Sequence, residues 1–332
     1  MRTHLFRRLN CFFVLLLCLG IWQGLPAQIQ AAGGPDAQVA LIRQSSSAIR
    51  ISTNLVTVPV SVTDSVGSHV ADLDIMDFQL TEDGRTEKIL TMIQAGKSPL
   101  QLTLIFDLSE SVQSDFEFER TAACRFLEKV WKPGDSVSIV SIGKKPCLHL
   151  EGSASLEKAL QILSHLEPTE NATAFFDAIT MSADLLSQST APNTRQVGVV
   201  FSDGEDNISD RGFMEALDAM RHSNTVVYSI NPSGASIRLN EISHQGQQWL
   251  VSLTGKTGGA AFVLDKNLDL DGVYERIAME LRSQYLLSYY SSNPYADGSF
   301  RNILVTIPLQ PGLQVRARQG YYAVLAPPTP RK

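Results

Sequence analysis

The sequence predicts an α/β protein: a doubly wound, mostly parallel sheet with helices on both faces, joined to a small β module drawn from the N- and C-terminal flanks. Three observations carry this expectation. Between residues 98 and 285, short apolar runs alternate with amphipathic segments at helical spacing, the order that produces right-handed crossovers onto a parallel sheet. Two of the runs, "LQLTLIFDL" and "QVGVVFSDG", are almost unbroken in apolar residues, as strands buried on both faces require. The flanking segments, 49–97 and 286–325, alternate instead with a period of two around turn residues, the pattern of strands with one solvated face.

Taken in order, the chain begins with a segment outside this fold. Arg2, Arg7 and Arg8 precede an apolar run from Cys11 to Trp22, too short to cross a bilayer and suited to a signal-peptide core. Leu25-Pro26-Ala27 offers a small residue for cleavage. Residues 1–27 are expected to be a cleaved export signal, which places the mature protein in the periplasm or outside the cell. Residues 28–48 are small, polar and unpatterned and read as a linker. "ISTNLVTVPVSVTDSVGSHV" then alternates as a strand, with Pro59 pointing to a sheet edge. "DFQLTEDGRTEKILTM" reads as strand, turn and strand around Glu82-Asp83-Gly84.

After Gly96-Lys97-Ser98-Pro99 the first buried strand ends in Asp107, and Phe118, Ala122, Phe126, Leu127 and Val130 follow at helical spacing. "DSVSIVSIG" is a strand, "SLEKALQILSHL" a helix, and a further helix begins near Ala174. "QVGVVFSDG", "TVVYSINP" and "GAAFVLD" are strands interleaved with helices at "FMEALDAMRHSN", "EISHQGQQWLVSL" and "LDGVYERIAMELRSQ". From "YLLSYYSS" to residue 325 the pattern is β again, and these strands are expected to pair with residues 49–97. Residues 326–332 are a tail.

The full chain carries 28 basic and 34 acidic residues. Loss of residues 1–27 removes three arginines and no acid, leaving 25 against 34, a net charge of −9. Such a balance argues against nucleic acid or an anionic membrane as partner. Only Cys124 and Cys147 survive cleavage; two buried thiols are favoured over a disulfide, and there is no disulfide framework.

The chemistry gathers where strands end. In open α/β sheets, ligands bind beyond the carboxyl ends of strands. Two of the most apolar strands end in Asp107 and Asp203, and no Lys or Arg lies within seven positions of either in sequence. Two acids delivered to one sheet edge are costly unless a positive charge lies between them, and a bound cation supplies it economically. "DLSES" adds Ser109 and Ser111 in alternation behind Asp107. Carboxylate and hydroxyl oxygens suit Mg²⁺, Mn²⁺ or Ca²⁺ better than zinc.

"DLSES", "NATAFFDAI" and "VVFSDGEDN" resemble, in order and placement, the three loops of a von Willebrand factor type A domain, with a Rossmann-like body, over roughly residues 100–285. That resemblance implies a metal-ion-dependent adhesion site. In it Ser109 and Ser111 are direct hydroxyl ligands, Asp107 and Asp203 bind directly or through water, and Thr173 contributes from the second loop. One position on the ion is left for a carboxylate from a protein partner. The flanks "VTVPVSVTDSVG", "DFQLTEDGRTEKI", "LTGKTGGAAF", "LRSQYLLSYY" and "VRARQGYYA" extend the resemblance to an exported bacterial group of the acidobacterial type. Asn171-Ala172 stands where that family often has glycines.

The expectation is therefore a non-catalytic, Mg²⁺-dependent binding module. Two alternatives stay open: a metal-dependent hydrolase acting on an anionic substrate, and a scaffold whose metal is purely structural. No His, Cys or Lys accompanies the three loops to serve as base or nucleophile. "SLTGKTGG" only superficially resembles a phosphate loop, since the required first glycine is Leu250, so no nucleotide is expected. Glu205 and Asp206 read as a solvated rim and a helix cap, and the tyrosines of the C-terminal segment read as strand packing.

Overall fold

The computed structural model describes residues 55–109, 116–168, 172–188, 194–231, 241–263 and 270–325, apart from the side chains of Lys97, Phe118, Glu119, Ala122 and Leu270. The expected signal segment, the linker, the tail and Ser111 lie outside the described residues.

The first strand, β1 (Leu55–Thr63), alternates as its sequence does, burying Val56, Val58, Val60 and Val62. β2 (Gln79–Glu82) and β3 (Arg85–Glu87) form a hairpin. Its two turn residues, Asp83 and Gly84, both have positive φ, 46° and 79°. That geometry matches the right-handed twist of the strands, and glycine adopts it without a Cβ penalty. The apparent single run through residue 94 is broken at Lys88, and β4 (Ile89–Gln94) joins a different sheet from β2 and β3.

The α/β body follows. Its elements are β5 (Leu100–Asp107), α1 (Phe116–Val130), β6 (Ser136–Ile142), β7 (Cys147–Ser153), α2 (Leu156–Ser164), α3 (Phe175–Ser187), β8 (Arg195–Phe201), α4 (Phe213–His222), β9 (Val226–Asn231), α5 (Glu241–Thr257), β10 (Ala261–Val263) and α6 (Leu270–Ser283). The six strands run in the order β10-β9-β8-β5-β6-β7, all parallel except β7, which is antiparallel to β6. β5 is buried at every position, Gln101, Thr103 and Asp107 included, as its almost unbroken apolar run leads one to expect. Phe106 on β5 stacks on Phe201 of β8 at 4.2 Å between centroids.

Helices cover both faces. Phe126 and Leu127 of α1, Leu163 of α2 and Ile277 and Leu281 of α6 pack on one side with Leu102, Leu104 and Val199. Phe175 and Ile179 of α3, Leu217 of α4 and Leu250 of α5 pack on the other with Ile105, Val140 and Val200. Each fully buried side chain of this kind contributes on the order of 2 kcal/mol. The edge strand β7 was not foreseen: "CLHLEGS" is largely exposed, and only Leu148 and Leu150 alternate in it before Glu151-Gly152-Ser153. Its Cys147 is exposed and Cys124 half-buried, both as free thiols, so the expectation of two buried thiols fails for Cys147.

The chain then returns to β structure with β11 (Tyr285–Tyr290), β12 (Phe300–Thr306), β13 (Gln314–Ala317) and β14 (Gly320–Tyr322). These strands interleave with the N-terminal ones in two antiparallel sheets, β13-β1-β11-β4 and β14-β12-β2-β3. Val58 and Val60, Leu80, Leu287 and Tyr289, Ile303 and Tyr321 form one core shared by both sheets. Pro59 is not on an edge strand, since β1 lies between β13 and β11. It is tolerated because β13 pairs only with Val60–Thr63, leaving Pro59 with β11 alone. "LQVRARQGYY", which reads as one strand, is likewise cut at Arg318-Gln319, and its halves enter different sheets.

Candidate functional site

Strand order reverses between β5 and β8: the chain goes from β5 to β6 on one side, then returns to place β8 on the other. Crevices form at such switch points, outside the carboxyl ends of the strands. Asp107 is the last residue of β5 and is 1% exposed. Its Oδ2 accepts from the Ser202 hydroxyl at 2.7 Å, and its Oδ1 from the Ser109 N–H at 3.0 Å. Ser202 follows β8 and is fully buried; its Oγ also accepts from the Gly204 N–H at 2.9 Å. Asp203, also buried, accepts from the Glu205 N–H at 3.1 Å through Oδ1.

The loop after β8 turns sharply at Gly204, whose φ is +80°. A Cβ there would meet the carbonyl oxygen of Gly246 in α5 at 2.4 Å, so the loop lies directly on that helix. Ser243 of α5 donates its hydroxyl to Glu205. The second loop is clasped from the same side. The Thr173 N–H donates to Asn207 Oδ1 at 2.9 Å, and the Thr173 carbonyl accepts from the Asn207 N–H at 3.1 Å.

Asp206 accepts from the Phe176 N–H at 3.1 Å and so caps α3 from another segment of the chain. Asp177 returns the bond, accepting from Asp210 and Arg211 N–H groups at 3.0 and 3.2 Å. Glu205 is thus a tie to α5 and not merely rim, whereas the cap expected of Asp206 is present on α3.

Of the five expected residues, Asp107, Ser109, Thr173 and Asp203 are all buried at this end of the sheet. Asp107 is joined to the third loop through Ser202, and Thr173 to the same loop through Asn207. Ser111 lies outside the described residues. Ser202 and Asn207, which bind the loops together, were missed. Their only signal was nearness to Asp203, Ser202 next to it and Asn207 four positions on in "FSDGEDN", and nothing in that string says which residue faces inward.

Burial pushes the Asp107 carboxyl above its ordinary value; the bonds from Ser202 and Ser109 oppose this, and the Glu205 charge reinforces it. Among the described residues no Lys, Arg or His forms an ion pair with Asp107. Nor do the described residues contain a group of three or more His, Cys, Asp or Glu able to hold a metal. The donors here are two carboxylates with hydroxyls, a hard-oxygen set that fits a magnesium-like ion. A buried carboxylate with no basic partner is the environment such an ion would relieve.

Fold and site together define an α/β domain whose switch point carries carboxylate and hydroxyl oxygens. Residues 102–205, which take in Asp107, Ser109, Thr173 and Asp203, match the family model described as von Willebrand factor type A domain, and the chain carries such a domain. Among solved structures, the chain is similar to an aerotolerance-related membrane protein from Bacteroides fragilis NCTC 9343 at 16% identity, with 55% of this chain and 98% of that one covered and a TM-score of 0.42. It is also similar to BatB from Bacteroides thetaiotaomicron at 14% identity, with 55% and 97% covered and a TM-score of 0.42. No curated protein matches the chain.

Proposed function

We propose that this chain is an exported, non-catalytic binding module that engages an acidic residue of a protein partner through a divalent cation, Mg²⁺ or else Mn²⁺ or Ca²⁺. Asp107, Ser109, Ser111, Thr173 and Asp203 would hold the ion, which when bound supplies an electrophilic position for the partner's carboxylate. The observation that carries the reading is Asp107: a carboxylate 1% exposed at the switch point, with no basic partner among the described residues.

The residues of the chain do the rest. Ser202 orients Asp107, Asn207 holds the Thr173 backbone against the third loop, and the Gly204–Gly246 approach presses that loop on α5.

The test is a pull-down from the native cell envelope with the mature chain, in Mg²⁺ and then in chelator, alongside Asp107→Asn. A partner retained only with metal and only by the unaltered chain is the expected result. Equal capture with chelator, or by Asp107→Asn, removes the proposal. Unfolding of the chain in chelator would instead mark the ion as structural.

A further inference from the structure

The opposite pole of the sheet holds a second charged arrangement. Arg195 opens β8 and Ser202 follows its end, so the two poles are separated by a seven-residue strand, roughly 20 Å at ~3.3 Å per residue. Here the α/β body meets the β-sandwich around a cavity of about 330 Å³. Val56, Pro59, Val197 and Leu286 form its apolar wall, and Arg195 and Arg318 line it as well. These two arginines are only 8% and 9% exposed.

Arginines facing the interior elsewhere in the described chain meet carboxylates: Arg282 with Asp135, Arg301 with Glu82 and Arg316 with Glu280. Arg195 and Arg318 do not. Arg195 donates to Gln284 Oε1 at 2.8 Å and to the carbonyls of Leu281 and Ala95 at 2.5 and 3.2 Å. Arg318 donates to Asn224 Oδ1 and to the Thr57 carbonyl, and its guanidinium lies 5.6 Å from the Tyr321 ring centroid. Asp135 acts on Arg195 through space but is engaged by Arg282. The Nε of each arginine is buried with no acceptor.

Burial pushes both guanidinium pKa values down to about 10, so both remain cationic at neutral pH. Two buried cations with neutral partners only are costly unless an anion offsets them. Guanidinium offers a planar fork matched to carboxylate and phosphate oxygens. A volume near the lower end of small-molecule sites excludes a macromolecule, and the apolar wall favours a ligand with a carbon body.

We infer that Arg195 and Arg318 form a binding site for a small organic oxyanion, a carboxylate or phosphate monoester, at the junction of the α/β body and the sandwich. The site is independent of the metal reading and is tested apart from it.

Calorimetry and thermal melts of the full mature chain with hexanoate, acetate and inorganic phosphate, against chloride at matched ionic strength, read it directly. The expected result is one-site binding and a raised Tm for hexanoate and phosphate, unchanged by chelator, with hexanoate tighter than acetate. Arg318→Met weakens binding at least about tenfold, the loss of one charge-assisted hydrogen bond. Should that variant not fold, Arg195→Lys and Arg318→Lys keep the charge but lose the fork, and each is expected to weaken binding severalfold. No binding heat for any of the three anions, or affinity unaltered in both lysine variants, overturns the assignment. A preference for phosphate with no gain from hexanoate over acetate overturns the organic ligand class.

Discussion

Ser202 donates its hydroxyl to Asp107 at 2.7 Å, bridging the carboxyl ends of the two strands between which the sheet order reverses. Both groups are buried, so water cannot replace the bond if one partner is removed. Ser202→Ala is expected to cost about 1–3 kcal/mol, the range for stranding a buried acceptor. Urea denaturation without added metal measures it, and an unchanged midpoint would show the bond to be dispensable.

Gly204 makes a separate claim on the same loop. Its φ of +80° and the 2.4 Å approach of a would-be Cβ to the Gly246 carbonyl leave no room for a side chain. Gly204→Ala is expected to destabilise by roughly 1–3 kcal/mol or more through strain and overpacking. Because Asp203 precedes it directly, magnesium uptake measured by calorimetry is expected to weaken as well. Stability and uptake equal to the parent chain would contradict this packing.

Within the sandwich, Arg301 and Glu82 are 3% and 2% exposed and form an ion pair at 3.4 Å. Glu82 also accepts from Tyr289 and Tyr321, at 2.7 and 3.0 Å. Arg301→Met strands the carboxylate and is expected to cost roughly 3–5 kcal/mol. The double variant Arg301→Met with Glu82→Gln is expected to recover part of that loss. Recovery is read from denaturation midpoints; a double variant no better than the single would mean the charge is not the cause.

His69 supplies a pH dependence. Burial is the largest influence on its imidazole and lowers its pKa from the ordinary 6.5, against the opposing pull of Glu280 and backbone groups. A base with a depressed folded pKa binds fewer protons in the folded state than in the unfolded one. Its contribution is therefore fully present above pH 6.5 and is lost as pH falls through the lower folded value. Melting curves from pH 8 to pH 4.5 are expected to show a shallower acid decline for His69→Gln than for the parent chain. Parallel declines would refute the assignment.

The α/β body was legible because its signals are local. A short, almost unbroken apolar run such as residues 100–106, bounded by turn residues, reads as a strand covered on both sides, and Phe126, Leu127 and Val130 share a face in a helix. β7 was not legible, because its residues are largely exposed and it exists only as the hairpin partner of β6. The splitting of 79–94 and of 313–322 between two sheets was hidden for a related reason. Both halves of each run alternate correctly, and only the closing of the sandwich decides where the chain crosses.

By itself the sequence determined that Asp107 and Asp203 stand at the ends of buried strands and the alternation that makes a doubly wound sheet, since both follow from burial and period along the chain. The tertiary structure alone decided that, among the described residues, Ser202 and not a basic residue meets Asp107, that Asn207 holds Thr173, and that Arg195 and Arg318, 123 positions apart, line one cavity with no carboxylate among its described lining residues. Residues so distant along the chain leave no periodic trace, and only packing brings them together.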